Sequence, residues 1–256
     1  MKIISLFSIK GGVGKTAAAV NLAYFSALRG YQTLLVDLDA QGSAEYYFRV
    51  SPSRKARGKS LLKGKKFLAA LIRESDFAWL DILPAAQGLR NIDRRLDRES
   101  RKRKRLTSVL KSFDDSYDHI IVDCPPHFGL LSENVFNFSD TLLVPVIPTV
   151  LSTRTLDQLY GFFEKQGYES NKILPFFSMV DMRKRLHREM IESVNRKENF
   201  LNTMIPDSSE VERMGVTRMP LLAYNERSKA GVAFTNLGLE LEERDCLGWK
   251  SNENSW

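Results

Sequence analysis

The hydrophobic residues of the chain are concentrated in short, almost wholly apolar runs that alternate with longer amphipathic stretches. Runs of this kind are typical of strands buried on both faces of a sheet. They predict strands at 3–9, 32–38, 80–83, 119–123, 141–147, 172–180 and 200–205. The intervening stretches predict helices at 17–28, 102–113, 151–166, 184–197 and 228–244. Because strands alternate with helices, we predict an α/β fold of three layers, in which helices flank a mostly parallel, twisted sheet.

The length and composition of the chain agree with this fold class. We predict a single domain over 1–256, with a short polar tail from about 247 onward. The only two cysteines, Cys124 and Cys246, do not form a disulfide scaffold and suit a reducing cytosol. The apolar N-terminus is too short for a signal peptide, and no apolar run reaches the roughly 18 residues of a membrane span. We therefore expect a cytoplasmic protein.

The charge of the chain is strongly basic. The net charge of +7 and the pI of about 9.4 suggest a polyanionic partner such as nucleic acid or acidic lipid, although a solvated basic surface is the alternative. Two segments concentrate this charge. Segment 49–66 carries eight basic residues and no acidic ones, and segment 94–105 carries eight against Asp97 and Glu99. Either segment could contribute to a polyanion-binding surface, or could be a solvated face.

The segment 10–16, with the sequence KGGVGKT, contains the most specific chemistry of the chain. It follows a predicted strand and precedes a predicted helix, and its three glycines allow the backbone to approach phosphate groups closely. Lys15 is then placed to reach the β- and γ-phosphates, and the Thr16 hydroxyl to bind Mg²⁺. The usual P-loop pattern has a glycine where this chain has Ile9, and Lys10 precedes the paired glycines. A second lysine beside the phosphates indicates a second contact to an anion.

Together with other motifs, this loop resembles the ParA/MinD family of deviant Walker-A ATPases, and in particular its small chromosomal, Soj-type partition proteins. The resemblance covers nearly the whole chain. Its motifs are KGGVGKT at 10–16, LLVDLDAQGS at 34–43, YDHIIVDCPP at 117–126, VPVIPT at 144–149, SMVDMR at 178–183 and IPDSSEVERMG at 205–215. It implies a P-loop NTPase fold, hydrolysis of ATP with Mg²⁺, and a homodimer that forms when ATP binds.

The resemblance also assigns roles to individual positions. The catalytic residues would be Lys10, which reaches the partner's ATP across the dimer, Lys15, and Asp39, which positions the attacking water. The metal would be held by Thr16, Asp37 and Asp123, with the carboxylates acting from close by or through water. Pro125 and Pro126 would begin a switch segment. The nucleotide-binding set is Lys10, Gly11, Gly12, Val13, Gly14, Lys15, Thr16 and Ala17, with Pro206 and Asp207 near the adenine.

The ParA-like members of this family bind duplex DNA without sequence preference as ATP-bound dimers. The resemblance therefore implies DNA binding, a ParB-like or cargo-adaptor partner, and association with the nucleoid. Arg183 matches a DNA-contacting arginine of the chromosomal type, and Lys184, Arg185 and Arg188 extend that patch. Arg213, Arg218 and Arg227 lie farther along the chain and could add DNA contacts. A further arginine of the family corresponds to Glu210 in this chain, so its DNA surface differs from the pattern. Phosphate contacts tolerate such shifts because they do not read bases. The cargo is open: plasmid, chromosome or protein complex.

The sequence was compared with three alternative functions. A MinD-like or cellulose-synthesis-type positioning ATPase would share the loop and lack DNA binding. Membrane attachment needs a basic amphipathic C-terminal helix, whereas segment 236–249 is acidic, so no membrane contact is expected. An iron–sulfur protein of the same fold needs two suitably placed cysteines, and Cys246 is too near the C-terminus to join Cys124.

Overall fold

The computed structural model describes residues 1–51, 61–86, 89–194 and 199–247. Within these ranges seven strands form one sheet in the order β3-β4-β2-β5-β1-β6-β7. The strands are β1 (Lys2–Leu6), β2 (Thr33–Asp37), β3 (Arg73–Glu74), β4 (Leu80–Leu83), β5 (His119–Asp123), β6 (Thr141–Val146) and β7 (Ile173–Phe177). All neighbours are parallel except the short β3, which runs antiparallel to β4 at the edge. The predicted α/β fold is confirmed.

Helices cover both faces of the sheet. One face is covered by α3 (Lys65–Ala69), α4 (Ile92–Leu96), α5 (Arg105–Lys111), α6 (Leu130–Phe138), α7 (Val150–Gln166) and α8 (Arg185–Val194). The other is covered by α1 (Lys15–Leu28), α2 (Ser43–Tyr47), α9 (Ser209–Thr217), α10 (Leu221–Tyr224) and α11 (Lys229–Glu243). Single 3₁₀ turns lie at Leu89–Asn91 and Ser170–Lys172.

Two hydrophobic cores, one on each face, explain the continuous apolar runs of the strands. Successive side chains of a strand point to opposite faces. Ile3 and Ile120 accordingly belong to the first core, and their neighbours Ile4 and Ile121 to the second. A central strand therefore needs apolar residues on both faces, which is the pattern of a parallel sheet covered on both sides.

The predicted strand at 200–205 is wrong. This segment lies beside β7, and the N–H groups of Leu201 and Ile205 donate to carbonyls of that strand. Between them, however, the N–H groups of Asn202 and Thr203 donate to the Glu240 carboxylate at 2.8 Å each. Because a side chain from α11 takes these donors, no regular ladder forms.

The predicted helices are present with shifted ends, and several short elements lie outside the predicted set. The helix predicted at 102–113 spans only Arg105–Lys111, and the one predicted at 184–197 begins at Arg185, with 195–198 outside the described residues. The polar tail beyond 247 and most of the basic segment 49–66 also lie outside them. No helix of the described chain is both long and apolar enough to cross a lipid bilayer.

Candidate functional site

The loop between β1 and α1 stands at the carboxyl edge of the sheet, where parallel α/β proteins bind ligands. Gly12 and Gly14 have φ values of 69° and 90°, which lie in the left-handed region. A Cβ on Gly14 would lie 2.9 Å from the Ser178 Oγ, so glycine is needed there for space as well as for conformation. Gly14 offers no side chain to cap α1, and the first N–H groups of that helix are thus available to an anion.

A lysine, a hydroxyl and a carboxylate meet directly beneath this loop. Lys15 is only 7% exposed. The Thr16 hydroxyl donates to Oδ2 of Asp123 at 2.6 Å, while Oδ1 of Asp123 is buried and has no hydrogen-bond partner in the described part of the chain. Burial raises the pKa of Asp123 to about 6, although the Thr16 hydrogen bond and the Lys15 charge act in the opposite direction. This acid is poorly compensated without a further cation.

Asp37 lies beside Asp123 because the two residues are paired in register on adjacent parallel strands. Its two carboxylate oxygens accept the N–H groups of Asp39 at 2.9 Å and Ala44 at 3.0 Å. The pKa of Asp37 is raised well above its usual range, mainly by burial and secondly by the negative charge of Asp123. Asp37 therefore shapes the loop after β2 and the start of α2, and also adds a carboxylate next to Asp123.

The loops after β2 and β5 enclose a cavity of about 190 Å³. Asp39 lines it from one side, and Pro125, Pro126 and His127 line it from the other. Oδ1 of Asp39 accepts the N–H of Gln41 at 3.0 Å, which fixes the direction of the carboxylate. The cavity thus joins the predicted water-positioning residue to the predicted switch segment.

Lys10 is held only through its backbone, whose N–H donates to the Ser8 Oγ at 3.3 Å. Its ammonium group makes no hydrogen bond or ion pair with any other described residue. Within the described ranges, the side chain of the predicted cross-dimer lysine is therefore not engaged.

The residues beneath the loop suit a divalent cation held together with a phosphate. Asp123 has a buried oxygen without a partner, Thr16 presents a hydroxyl, and Asp37 adds charge. No group of three or more His, Cys, Asp or Glu side chains in the described ranges is arranged to hold a metal. A cation here would take its remaining ligands from phosphate oxygens and water, as Mg²⁺ commonly does.

Asp93 is a site residue that the sequence pattern did not indicate. From α4, its Oδ1 accepts the N–H of Leu131 at 2.9 Å and so caps α6, and its Oδ2 lies 3.8 Å from Nε2 of His127. A Cβ on Gly129 would come within 2.2 Å of the same carboxylate. Asp93 is distant in sequence from all three residues, so no local signal predicts its role.

The first group of predicted DNA-binding residues follows β7. Arg183 is 91% exposed and binds both oxygens of Asp181, at 2.9 and 3.0 Å, and this contact holds the pKa of Asp181 at about 2. Arg185 pairs with Glu189 at 2.6 Å, and Arg188 donates to a backbone carbonyl. Lys184 lies 4.0 Å from Asp181. This patch is basic but partly neutralised by its own neighbours.

The second group lies in the opposite helical layer, on α9 and the turn before α11. The Arg218 guanidinium lies 4.6 Å from the Tyr46 ring centre and donates to the Tyr46 carbonyl. Arg213 belongs to α9, and Arg227 to the following turn. Glu210 accepts from Asn225 at 3.2 Å and so orders this region. The structure thus divides the predicted DNA-binding set between two layers.

Pro206 and Asp207 lie where the chain passes the end of β7. Pro206 forms an isolated parallel bridge with Val180, and the Asp207 N–H donates to the Val180 carbonyl at 2.9 Å. The backbone position of this loop is therefore well defined. The assignment of the two residues to the adenine contact stays a prediction.

The two cysteines are at opposite edges of the sheet. Cys124 is fully buried just after the carboxyl end of β5. Cys246 lines a cavity with Asp140 and Thr141, at the amino end of β6. The two thiols therefore lie at opposite ends of the parallel strands.

Comparison with known proteins places this site in a family context. The family model described as an AAA domain matches residues 1–176, which include the loop, Asp37, Asp39 and Asp123. The chain is 29% identical over 252 residues to the chromosome partitioning protein ParA of Myxococcus xanthus, covering 95% of this chain and 89% of that protein. It is also 29% identical over 247 residues to the sporulation initiation inhibitor protein Soj of Bacillus subtilis, covering 94% of this chain and 98% of that protein.

Solved structures share the fold over the same extent. A protein assigned to plasmid partition in Borrelia burgdorferi B31, solved with AMPPNP bound, superposes with a TM-score of 0.81 at 23% identity. The match covers 95% of this chain and 99% of that one. At this identity the likeness concerns the fold.

Proposed function

Because the chain belongs to the AAA domain family, and within it to the ParA/MinD group of P-loop ATP hydrolases, we propose that it is a partition or positioning ATPase. In this proposal it forms a homodimer when ATP binds, holds DNA without sequence preference, and uses hydrolysis to place a cargo. The observation that carries the proposal is the contact of Thr16 with Asp123 beneath the glycine loop, beside the buried Lys15.

Phosphoryl transfer depends mainly on positioning and on neutralising charge, and this chain has groups for both. The N–H groups of the loop and the Lys15 ammonium would bind the phosphates, and Asp39 would orient the attacking water. Asp123 and the Thr16 hydroxyl would hold Mg²⁺, Asp123 through water. The bound cation supplies further neutralisation of phosphate charge.

Two features support a dimer that closes over the nucleotide. The Lys10 ammonium makes no hydrogen bond or ion pair with the part of its own chain that the structure describes. In addition, Val150 and Leu151, at the start of α7 on the same edge of the sheet, are 62% and 67% exposed. An apolar pair beside the phosphate loop gives a second copy a surface to bury.

DNA binding is supported by the exposed arginines after β7 and by the net charge of +7. A DNA-bound dimer would associate with the nucleoid. A ParB-like or adaptor protein would then stimulate hydrolysis and release the dimer from DNA. The cargo would be a plasmid, a chromosome or a protein complex.

The decisive experiment compares DNA retention by Asp39→Ala protein with ATP and with ADP. We expect Asp39→Ala to slow hydrolysis, so that the protein stays in its ATP state and retains duplex DNA at low salt. With ADP, or at high salt, retention should be lost, because phosphate contacts are weakened by salt. Absence of ATP-dependent retention would contradict the proposed DNA binding.

The second candidate function is a positioning or assembly ATPase that does not bind DNA. Two observations favour it: Glu210 replaces an arginine of the family, and Arg183 is bound to Asp181. The same assay separates the two functions. A MinD-like membrane anchor is disfavoured, since Leu237 and Leu241 of α11 are buried and its Glu242 pairs with Arg29.

A further inference from the structure

A basic surface covers α4, the 3₁₀ turn before it and the connection to α5. It comprises Arg90, Arg94, Arg95, Arg98, Arg101 and Lys104, and we call it the α4 surface. Ile92 and Leu96 of the same short helix are buried in the core beneath it. The helix is therefore anchored through its apolar side, and its basic side chains are directed outward.

The cations of the α4 surface have no partners among the described residues. The neighbouring cations, in contrast, form ion pairs: Lys102 with Asp97 at 2.8 Å, Arg103 with Glu133 at 2.7 Å and Arg105 with Glu99 at 3.3 Å. None of the six side chains of the α4 surface makes a hydrogen bond or ion pair within the described ranges. The local carboxylates are thus already engaged, and the α4 surface keeps its full positive charge.

The shape of the α4 surface gives room for anionic groups between the cations. One groove of about 420 Å³ is lined by Asn91, Arg94, Arg95 and Arg98, and a second of about 790 Å³ is lined by residues of the segment 100–108. Arginine suits phosphate oxygens because its planar group can donate two parallel hydrogen bonds. The grooves could therefore each accept a phosphate.

The chemistry of the α4 surface favours a nucleic-acid backbone over a protein or a lipid. Protein interfaces contain a buried apolar or aromatic centre, and membrane-binding surfaces insert apolar side chains. The large exposed apolar residues of the described chain all lie outside 89–111. A surface with many arginines and no apolar anchor matches the phosphate backbone of a duplex.

The α4 surface is in direct contact with the nucleotide site. Arg90 lines the same cavity as Asp39 and Pro125. Asp93, on the same helix as Arg94, caps α6 and faces His127. A rearrangement of the segment after β5 would therefore move the α4 surface.

We propose that the α4 surface is a second binding surface for the phosphate backbone of duplex DNA, distinct from the arginines after β7. This inference rests on the proposed DNA-binding function.

The test measures the affinity of the full chain for a fluorescent duplex of random sequence, with a non-hydrolysed ATP analogue, over a series of salt concentrations. In the variant, Arg94→Glu and Arg98→Glu are combined. We expect affinity to fall about tenfold or more, and the slope of log affinity against log salt to decrease in magnitude by about 2. The matched control combines Lys111→Glu and Lys165→Glu, which make the same charge change at helix ends on the opposite edge of the sheet.

The outcomes distinguish this inference from the function on which it rests. If wild type binds DNA and the Arg94/Arg98 variant keeps its affinity and salt slope, the inference is wrong while the proposed function stands. Equal losses of DNA affinity in the variant and in the control would show a nonspecific charge effect and would also overturn the inference. If the Arg94/Arg98 variant loses binding to anionic phospholipid vesicles but keeps its DNA binding, the α4 surface is a membrane-binding surface instead. If wild type does not bind DNA at all, the proposed function and this inference both fail.

Discussion

At the scale of single residues, the site brings like charges together at a place where they are unfavourable without a ligand. Asp37 and Asp123 are paired in register and buried, and the pKa of each is raised. Lys15 compensates only part of this charge. Such strain is typical of sites that bind a cation and a polyphosphate, because the ligand relieves it.

Replacement of Lys15 by alanine tests the phosphate contact. Because a hydrogen bond to a charged group contributes about 1.5–3 kcal/mol, we expect Lys15→Ala to weaken ATP binding about 10- to 100-fold. Equilibrium titration with a fluorescent ATP analogue measures this. Arg29→Ala, at the far end of α1, is the control and should leave the affinity unchanged.

The charge of Asp123 predicts a pH dependence of stability. Its pKa is raised from 3.8 in the unfolded chain to about 6 in the folded one. The folded state therefore holds this proton more tightly, and the contribution to stability is lost as pH rises towards and through about 6. Asp123→Asn lacks this titration. In the presence of a chelator and without nucleotide, the free energy of unfolding of Asp123→Asn should increase relative to that of wild type as the pH rises from about 4 to about 8. A difference that does not change with pH in urea unfolding experiments would contradict the assigned pKa.

At the scale of elements, α4 and α6 are joined by one carboxylate. Asp93 caps α6 through Leu131 and lies against the segment that follows Asp123. Elements tied in this way move together, so α4 is positioned to respond to changes after β5. On the other face, Arg218 contacts Tyr46 of α2. The first turn of α2 is held in turn by Asp37, which accepts the N–H of Ala44.

Asp93 is accordingly expected to be a positioning residue. Asp93→Ala should lower the free energy of unfolding by about 1 kcal/mol, as removal of a helix cap does, and slow ATP hydrolysis more than it weakens ATP binding. Asp93→Asn retains an oxygen acceptor for the Leu131 N–H and should restore most of the stability. Thermal unfolding and steady-state hydrolysis measure the two effects. If Asn fails to restore stability, the cap bond is not the main role of Asp93.

At the scale of the whole molecule, the proposed cycle depends on a second copy of the chain. In this proposal each copy contributes its own phosphate loop, metal-holding residues and Asp39, whereas the Lys10 ammonium has no partner among the described residues of its own chain. In this proposal the apolar pair at the start of α7 would contact the second copy, and the basic surfaces in both helical layers would contact DNA.

Lys10→Ala tests this arrangement. We expect the variant to bind ATP as a monomer but to lose the ATP-dependent increase in mass, because the charge that reaches the second nucleotide is absent. Light scattering after size-exclusion chromatography measures the mass with ATP and with ADP. Ser8→Ala, which removes only the hydrogen bond to the Lys10 backbone, is the comparison. A normal ATP-dependent dimer formed by Lys10→Ala would exclude the cross-dimer role.

Much of this protein follows from the sequence by itself. Continuous apolar runs predicted the buried parallel strands, because a strand covered on both faces cannot alternate. The glycine loop, with Lys15 and Thr16, predicted the phosphate site, because its function depends on local backbone geometry and on neighbours in sequence. The ends of the helices and the irregular segment at 200–205 could not be predicted, since the donors of Asn202 and Thr203 are taken by Glu240 from a distant helix.

Only the tertiary structure decided which distant residues meet. The sequence placed Asp37 and Asp123 at strand ends, but the strand order makes them neighbours and raises the pKa of each. It marked the segment 94–105 as basic, but only folding determined which of its cations pair with the local carboxylates. The cations of the α4 surface have no such partner in the described ranges. The physical reason is the same in each case. Charge, burial and capping depend on contacts through space, and such contacts leave no periodic signal along the chain.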